Sequence, residues 1–335
     1  MSKADIKDVA KRAGVSVATV SRVLSRSVPT TEKTRLAVLN AAKTLRYNPN
    51  VVARSLRRKK TDIIIAILND IKNPVFYEML RGLEDAAYQR GYMLLTGNSA
   101  NDAGRERFYL QSLSMGRADG AVLITPRTSH RKILELTGGA PIVLINDQYH
   151  GDSVPNIGID DRKASYDLTR RILEKGHRYL ACLRGIPGIA IAEKRLEGFL
   201  QAVDETDGTC RSVIIQGGSM MEDGYRGMKA LCGLKNRPTA AVCYNDESAI
   251  GAMTYAGEHG IRVPEDISIA GFDDVPSSGL CQLELTTVRQ PGYEMAVKAM
   301  DTLFKIMGKR QPENYDIIVP HTLIERKTVR GLNQE

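Results

Sequence analysis

Five cysteines are all that this 335-residue sequence has, and no two of them form a C-x-x-C pair. They stand alone at 182, 210, 232, 243 and 281, which excludes a disulfide framework or a zinc knuckle and leaves isolated thiols of a reducing cytoplasm as the expectation. Tryptophan is absent. The longest clear apolar run, Ile63–Leu68, is far short of the roughly 20 residues a membrane span needs. The first residues, MSKADIKDVAKRAG, are amphipathic and charged, with no apolar core of a secretory signal. Also missing are G-x-S-x-G, G-x-x-x-x-G-K-[ST], a G-x-G-x-x-G after a strand, and H-E-x-x-H. The five histidines (130, 150, 177, 259, 321) are widely separated. A non-enzyme with no catalytic residue, no metal and no cofactor is expected.

Acidic residues are scarce in one place only. Residues 1–60 hold 15 Lys/Arg and three acids (Asp5, Asp8, Glu32), a net charge of +12. The remaining 32 basic and 36 acidic residues give −4, so the total of +8 describes neither part. A short basic head on a weakly acidic body suits nucleic-acid binding.

Within the head, Ile6, Val9, Ala10 and Ala13 repeat at helical spacing, and Gly14 is placed to end that helix. Ser16 is a candidate N-cap for a second helix reaching Leu24, with Val20, Val23 and Leu24 inward. After Pro29, Thr31 is a candidate cap for a third helix over 32–45, with Leu36, Leu39, Ala42 and Leu45 predicted on its buried side. This is a helix-turn-helix pattern, whose second helix enters the major groove. Its outward positions are Val17, Ala18, Ser21 and Arg22. Arg22 can donate two hydrogen bonds to guanine, whereas Val17 and Ala18 can meet only thymine methyls or permit close approach. Ser16, Thr19, Thr31, Lys33 and Thr34 are candidates for phosphate contacts that set register. The bland alternative is a three-helix packing module with a solvated Arg22.

From residue 61 onward the pattern changes. Short apolar runs at 63–68, 92–96, 120–124, 141–145, 156–159, 179–183, 211–216, 240–244 and 267–272 alternate with amphipathic helical stretches. Such runs read as parallel strands buried on both faces. There are too many for one small sheet, and the pattern restarts near residue 160. The expected fold is α/β: an all-α helix-turn-helix head plus a two-lobed core of doubly wound parallel sheets, with ligand bound in the cleft beyond the strands' carboxyl ends.

The string IKDVAKRAGVSVATVSRVL, followed by TRLAVLNAAKTLRYNPNVVARSL, resembles the DNA-binding head of the lactose/galactose repressor family of transcriptional regulators. The body is similar to that family's effector-binding core, itself like periplasmic sugar-binding proteins, through NPVFYEMLRGLEDAAYQRGY, RADGAVL, RPTAAVCYNDESAIGAM, VPEDISIAGFDD and LTTVRQPGYEM. Parts of it (GFDD, LTTVRQPGYEM) look like the cytidine-repressor branch of the family. The resemblance implies residues 1–47 as the head, 48–60 as a hinge segment and 61–335 as the effector and dimerisation core. Its first lobe would cover about 61–160 plus 291–318, and its second about 161–290 plus 319–335. In the hinge, Asn50, Ala53, Leu56 and Arg57 are the implied DNA contacts. Leu56 aligns with a leucine wedged into the minor groove, and Arg57 to Lys60 are placed for phosphates. In the cleft the implied effector contacts are Phe76, Asn146, Arg195, Asn245 and Asp273, with Asp147 a weaker one. Asp273 could accept hydroxyl protons, Arg195 offers a fork of donors, and Asn245 offers both a donor and an acceptor. The flat ring of Phe76 could cover an apolar ligand face.

Ile189, Ala190 and Ile191 occupy an expected loop where relatives often carry polar ligand contacts. The implied partners are a double-stranded DNA operator, a small sugar or nucleoside effector, and a second copy of the chain in a homodimer, with no membrane. A cytosolic binding protein with a secondary DNA role is the alternative.

Overall fold

The computed structural model describes residues 4–25, 29–48, 58, 60–147, 153–280 and 284–332, and the chain divides into two compact units, 1–61 and 62–335.

The first unit contains α1 (Ile6–Ala13), α2 (Val17–Ser25) and α3 (Glu32–Thr44). Each start carries a cap. Asp5 accepts from the Lys7 and Asp8 amides in a capping box. Ser16 Oγ accepts from Thr19 N at 3.1 Å, and Thr31 Oγ1 from Thr34 N at 3.3 Å. Gly14 ends α1 at φ 65°, a left-handed conformation that suits glycine. Val9, Ala10, Val20, Val23, Val38, Ala41 and Ala42 form the core. The expected inward face of α3 is corrected here: Leu36 and Leu39 are 48% and 39% exposed. The buried stripe is Val38, Ala41 and Ala42, continued by half-buried Leu45. Leu36 and Leu39 stand off that 3–4 spacing, and the two alanines let the helices approach closely.

The second unit holds two parallel sheets. The first has six strands in the order β11-β5-β4-β3-β1-β2. These are β1 (Ile63–Leu68), β2 (Met93–Asn98), β3 (Gly120–Ile124), β4 (Ile142–Ile145), β5 (Asn156–Gly158) and β11 (Asp316–Ile318). The second has four strands, β7-β6-β8-β9. They are β6 (Tyr179–Arg184), β7 (Arg211–Gln216), β8 (Ala240–Cys243) and β9 (Ser268–Ala270). Beside it β10 (Thr287–Arg289) pairs antiparallel with β12 (Thr322–Ile324), and an Ala270–Thr286 bridge connects them to β9.

Helices α4 (Phe76–Gln89), α5 (Ala103–Ser114), α6 (His130–Thr137) and α11 (Gly292–Met307) belong to the first lobe. Helices α7 (Asp161–Glu174), α8 (Ala190–Asp204), α9 (Met221–Cys232) and α10 (Asp246–Glu258) belong to the second. The chain crosses between lobes three times: after β5, between β10 and α11, and between β11 and β12. The central strands are buried on both faces, which explains why they read as unbroken apolar runs.

Candidate functional site

On α2, buried Val20 and Val23 fix which face looks outward. Val17 (41% exposed), Ala18 and Arg22 lie on the solvent side, and Thr19 and Ser21 are half-buried. Ser16 and Thr31 take capping roles, each with its hydroxyl 2.9 Å from a second hydroxyl, that of Thr19 and Thr34 respectively. Both pairs remain at helix N-termini, where backbone amides favour anions. Of the hinge candidates, Asn50, Ala53, Leu56 and Arg57 lie outside the described residues.

In the second unit, the cleft between lobes opens at the carboxyl ends of the strands. Asn69 follows β1, Asn101 stands shortly after β2, Thr125 follows β3 and Asn146 follows β4. Asn101, Thr125 and Asn146 have φ of 59°, 51° and 54°, an unusual conformation for residues with a Cβ and most of all for β-branched Thr125. Two adjoining cavities of about 160 and 50 Å³ share Asn69, Asn101, Thr125 and Ile189. Arg127, Asn146 and Asp147 line the larger one. The opposite wall comes from the second lobe, through Ile186, Ile189, Ala190, Ile191, Met220 and Tyr244.

Arg195 and Asp273 lie beneath this wall, deep in the second lobe. Arg195 donates to Asp161 at 2.8 Å, to Tyr244 O at 2.8 Å and to Asp273 at 3.5 Å. Its guanidinium sits 3.5 Å from the centre of the Phe272 ring. Burial works against its charge, but Asp161 and Asp273 outweigh burial and raise its pKa. Glu193 and Glu197, its neighbours in sequence, pair elsewhere, with Arg184 and Lys194. Burial pushes the Asp273 carboxyl up to about 6, against the pull of Arg195 and Gln290. Gln290, itself buried, donates to Asp273 at 2.6 Å and accepts from Asn146 Nδ2 at 3.0 Å. A polar chain therefore runs Asp161–Arg195–Asp273–Gln290–Asn146, from the second lobe into the first, through the β10–α11 crossing.

Two expected contacts are placed elsewhere. Phe76 is the first residue of α4 and is buried in the apolar core, not over the cleft. Asn245 caps α10: its Oδ1 accepts from Ser248 N at 3.0 Å and its Nδ2 donates to Ser219 O at 3.0 Å, so both ends are used. The expected loop at 189–191 is also corrected. Ile189 is the N-cap of α8, and Ala190 and Ile191 form its first turn. The asparagines at 69 and 101, together with Thr125 and Gln290, escaped the sequence reading. For Asn69 and Thr125 the signal was a lone polar residue directly after an apolar run, which any loop also shows; Asn101 and Gln290 do not directly follow an apolar run and carried no such signal.

Residues 5–50 match the bacterial regulatory proteins of the lacI family, and residues 169–329 match the periplasmic binding protein-like domain. The HTH-type transcriptional repressor PurR of Pectobacterium atrosepticum is 36% identical over 97% of this chain and 97% of its own length. This protein belongs to the lacI family of bacterial regulators. The family's HTH-type repressor CytR of Escherichia coli is 32% identical over 98% of this chain and 97% of its own. The lac repressor dimer crystallised with operator and an anti-inducer shares the fold at a TM-score of 0.87, with 24% identity over 98% of this chain and 100% of that one. This lacI-family chain is thus a helix-turn-helix transcription regulator with an α/β effector-binding core, as the sequence motifs implied.

Proposed function

We propose that this regulator is a repressor that binds a palindromic operator as a homodimer and responds to a small neutral ligand, a sugar or a nucleoside, in the core cleft. The outward placement of Val17, Ala18 and Arg22 on α2, in a head carrying +12, supports the DNA-reading role most directly. In this reading Arg22 pairs with guanine in the major groove, and Ser21 stands beside it at the groove wall. Ser16, Thr19, Thr31 and Thr34 hold phosphates at two helix N-termini. Asn50, Ala53, Leu56 and Arg57 belong to the minor-groove hinge, with Leu56 as the wedge.

An apolar edge supports self-association. The edge strand β2 exposes Met93 and Leu95, and Phe108 and Met115 are exposed on and just after α5. Ile214 on the edge strand β7 and Met221 add to it in the second lobe. Arg195, Asp273 and Asn146 remain the proposed effector contacts, reached when a ligand's hydroxyls compete with Gln290 for the Asp273 carboxylate. Asn245 and Phe76 support the site from behind.

The test is selection of operator sites from random DNA. Arg22→Ala is expected to cost about 1–3 kcal/mol and to relax one base position per half-site. An unchanged selected motif would overturn the assignment.

A further inference from the structure

A cavity of about 280 Å³ lies at the end of the first sheet opposite the cleft, where β4 and β5 begin. Leu134 of α6, Ile142 of β4, Pro155, Ile306 of α11 and the Tyr315 ring give it apolar walls. Its polar lining is of one kind. Ser153, Lys309, Arg310 and Gln311 can all donate hydrogen bonds, and no carboxylate lines the cavity. Lys309 and Arg310 pair with no acid among the described residues. Glu135, next to Leu134, is held by Lys132 at 2.8 Å, and Glu313 and Asp316 do not line the space.

Lys309 has φ 59°, a left-handed conformation that suits glycine and strains a residue with a Cβ. Gly308, one position earlier, has φ −80° and makes no use of its freedom. The end of α11 thus carries a cation where glycine would be more stable, and strain of this kind collects where a side chain is needed for binding. The cations are not needed to quiet the carboxyl end of α11. The backbone N–H groups of Gly308, Lys309 and Arg310 already donate to the carbonyls of Phe304, Ile306 and Lys305 at 3.0, 2.8 and 3.0 Å.

A small inorganic anion gains nothing from apolar walls, and a neutral apolar body leaves two cations without a counter-charge. We infer that this cavity is a second ligand site, separate from the cleft, for an amphipathic monoanion: one carboxylate on a compact apolar body. The carboxylate meets Lys309 and Arg310, with the Gln311 amide and Ser153 hydroxyl as further donors. The apolar body lies on Ile142, Pro155 and Ile306. An apolar cavity of about 150 Å³ already holds benzene, so one ring, two fused rings or a medium-length acyl chain fits this one. Asn146 follows β4 at its other end, and Gln290 stands just before α11. The second site therefore lies at the far end of two elements that carry the cleft's polar chain.

The experiment is calorimetric titration of the full-length protein with benzoate, naphthoate, octanoate, the neutral amide of each, and inorganic phosphate. At least one acid is expected to bind, at least about tenfold tighter than its own amide and than phosphate, the scale of a hydrogen bond to a charged group. Naphthoate against octanoate decides between a flat ring and an acyl chain. Lys309→Gly places glycine at a φ that favours it, so folding is retained, and it is expected to weaken the acid about tenfold while leaving the amide unchanged. Arg310→Gln is expected to act in the same direction. Asp273→Asn, which alters the cleft's polar chain, is expected to keep acid binding. Amides or phosphate binding as tightly as the acids, or no binding by any acid, overturns the inference. So does acid binding that survives Lys309→Gly with Arg310→Gln, which would belong to the basic head, or that is lost in Asp273→Asn, which would belong to the cleft.

Discussion

Asp273 shows how burial makes one carboxylate consequential. Its ordinary value of 3.8 governs the unfolded chain, while burial in the folded core pushes it to about 6, even with Arg195 and Gln290 pulling the other way. Between those values the folded protein holds a proton that the unfolded chain has released. The contribution of Asp273 to stability is therefore greatest below that window, falls as pH rises through it, and levels off above. Denaturant titrations from pH 4 to 7 are expected to show a shallower decline in Asp273→Asn than in the parent; identical slopes would refute the assignment. The partner residue gives a second expectation at this scale. Arg195 separates Asp161 and Asp273, so Arg195→Met leaves two buried carboxylates facing each other. The loss is expected to be about 3–5 kcal/mol, the scale for removing one member of a buried ion pair. A variant as stable as the parent in the same titration would show that the network contributes little.

At the scale of elements, helix pairs are held close by glycine. A Cβ on Gly251 of α10 would lie 1.9 Å from the Met221 carbonyl oxygen of α9, and one on Gly224 of α9 would lie 1.8 Å from the Ser248 carbonyl oxygen of α10. Gly257, two turns further along α10, faces open space. Gly251→Ala is therefore expected to destabilise by about 1–3 kcal/mol or more through overpacking. Gly257→Ala should instead stabilise by about 0.5–1 kcal/mol through helix propensity. Thermal midpoints moving together would contradict this packing. These elements were legible in sequence to different degrees. Strands such as IIIAIL and PIVLI announced themselves because both faces are buried. Caps at Ser16 and Thr31 were legible because capping is local chemistry. The face of α3 was legible only in part: Ala42 and Leu45 turn inward as expected, but leucine at 36 and 39 outweighs valine at 38 and alanine at 41 in a hydropathy count, while close approach favours the smaller residues. Gly251 carries no local signal of the helix it touches. Beneath the cleft wall, Asp273 and Arg195 were singled out only through resemblance. Gln290, which joins them to Asn146, was not, because its role exists only where the chain crosses between lobes. Phe76 looked like a ligand cover because sequence cannot tell an aromatic at a cleft from one in a core.

At the scale of the whole molecule, the charge split and the exposed edge strands point to one dependence. A head with +12 binds DNA through phosphates, and the salt dependence of that binding scales with the number of phosphates neutralised. If two heads act on one operator, separating the copies removes half of those contacts and the two-fold match to a palindrome. Phe108 is 62% exposed and Leu95 is 44% exposed on the β2 side, so charge there strikes association before it strikes folding. The double variant Leu95→Glu, Phe108→Glu is expected to sediment as a monomer and to lose operator affinity by orders of magnitude. Its plot of log affinity against log salt should have about half the parent's slope. Effector titration of the same variant should be unchanged, because each cleft lies within one chain. A variant that stays dimeric places the interface elsewhere, and a monomer with the parent's salt slope shows that one head makes all the contacts. In a dimer that does respond to ligand, linkage adds a further constraint: whatever factor the effector imposes on operator affinity, operator must impose on effector affinity. Unequal factors in the two titrations would mean that the two measurements do not close one equilibrium cycle, as when the dimer dissociates in one of them.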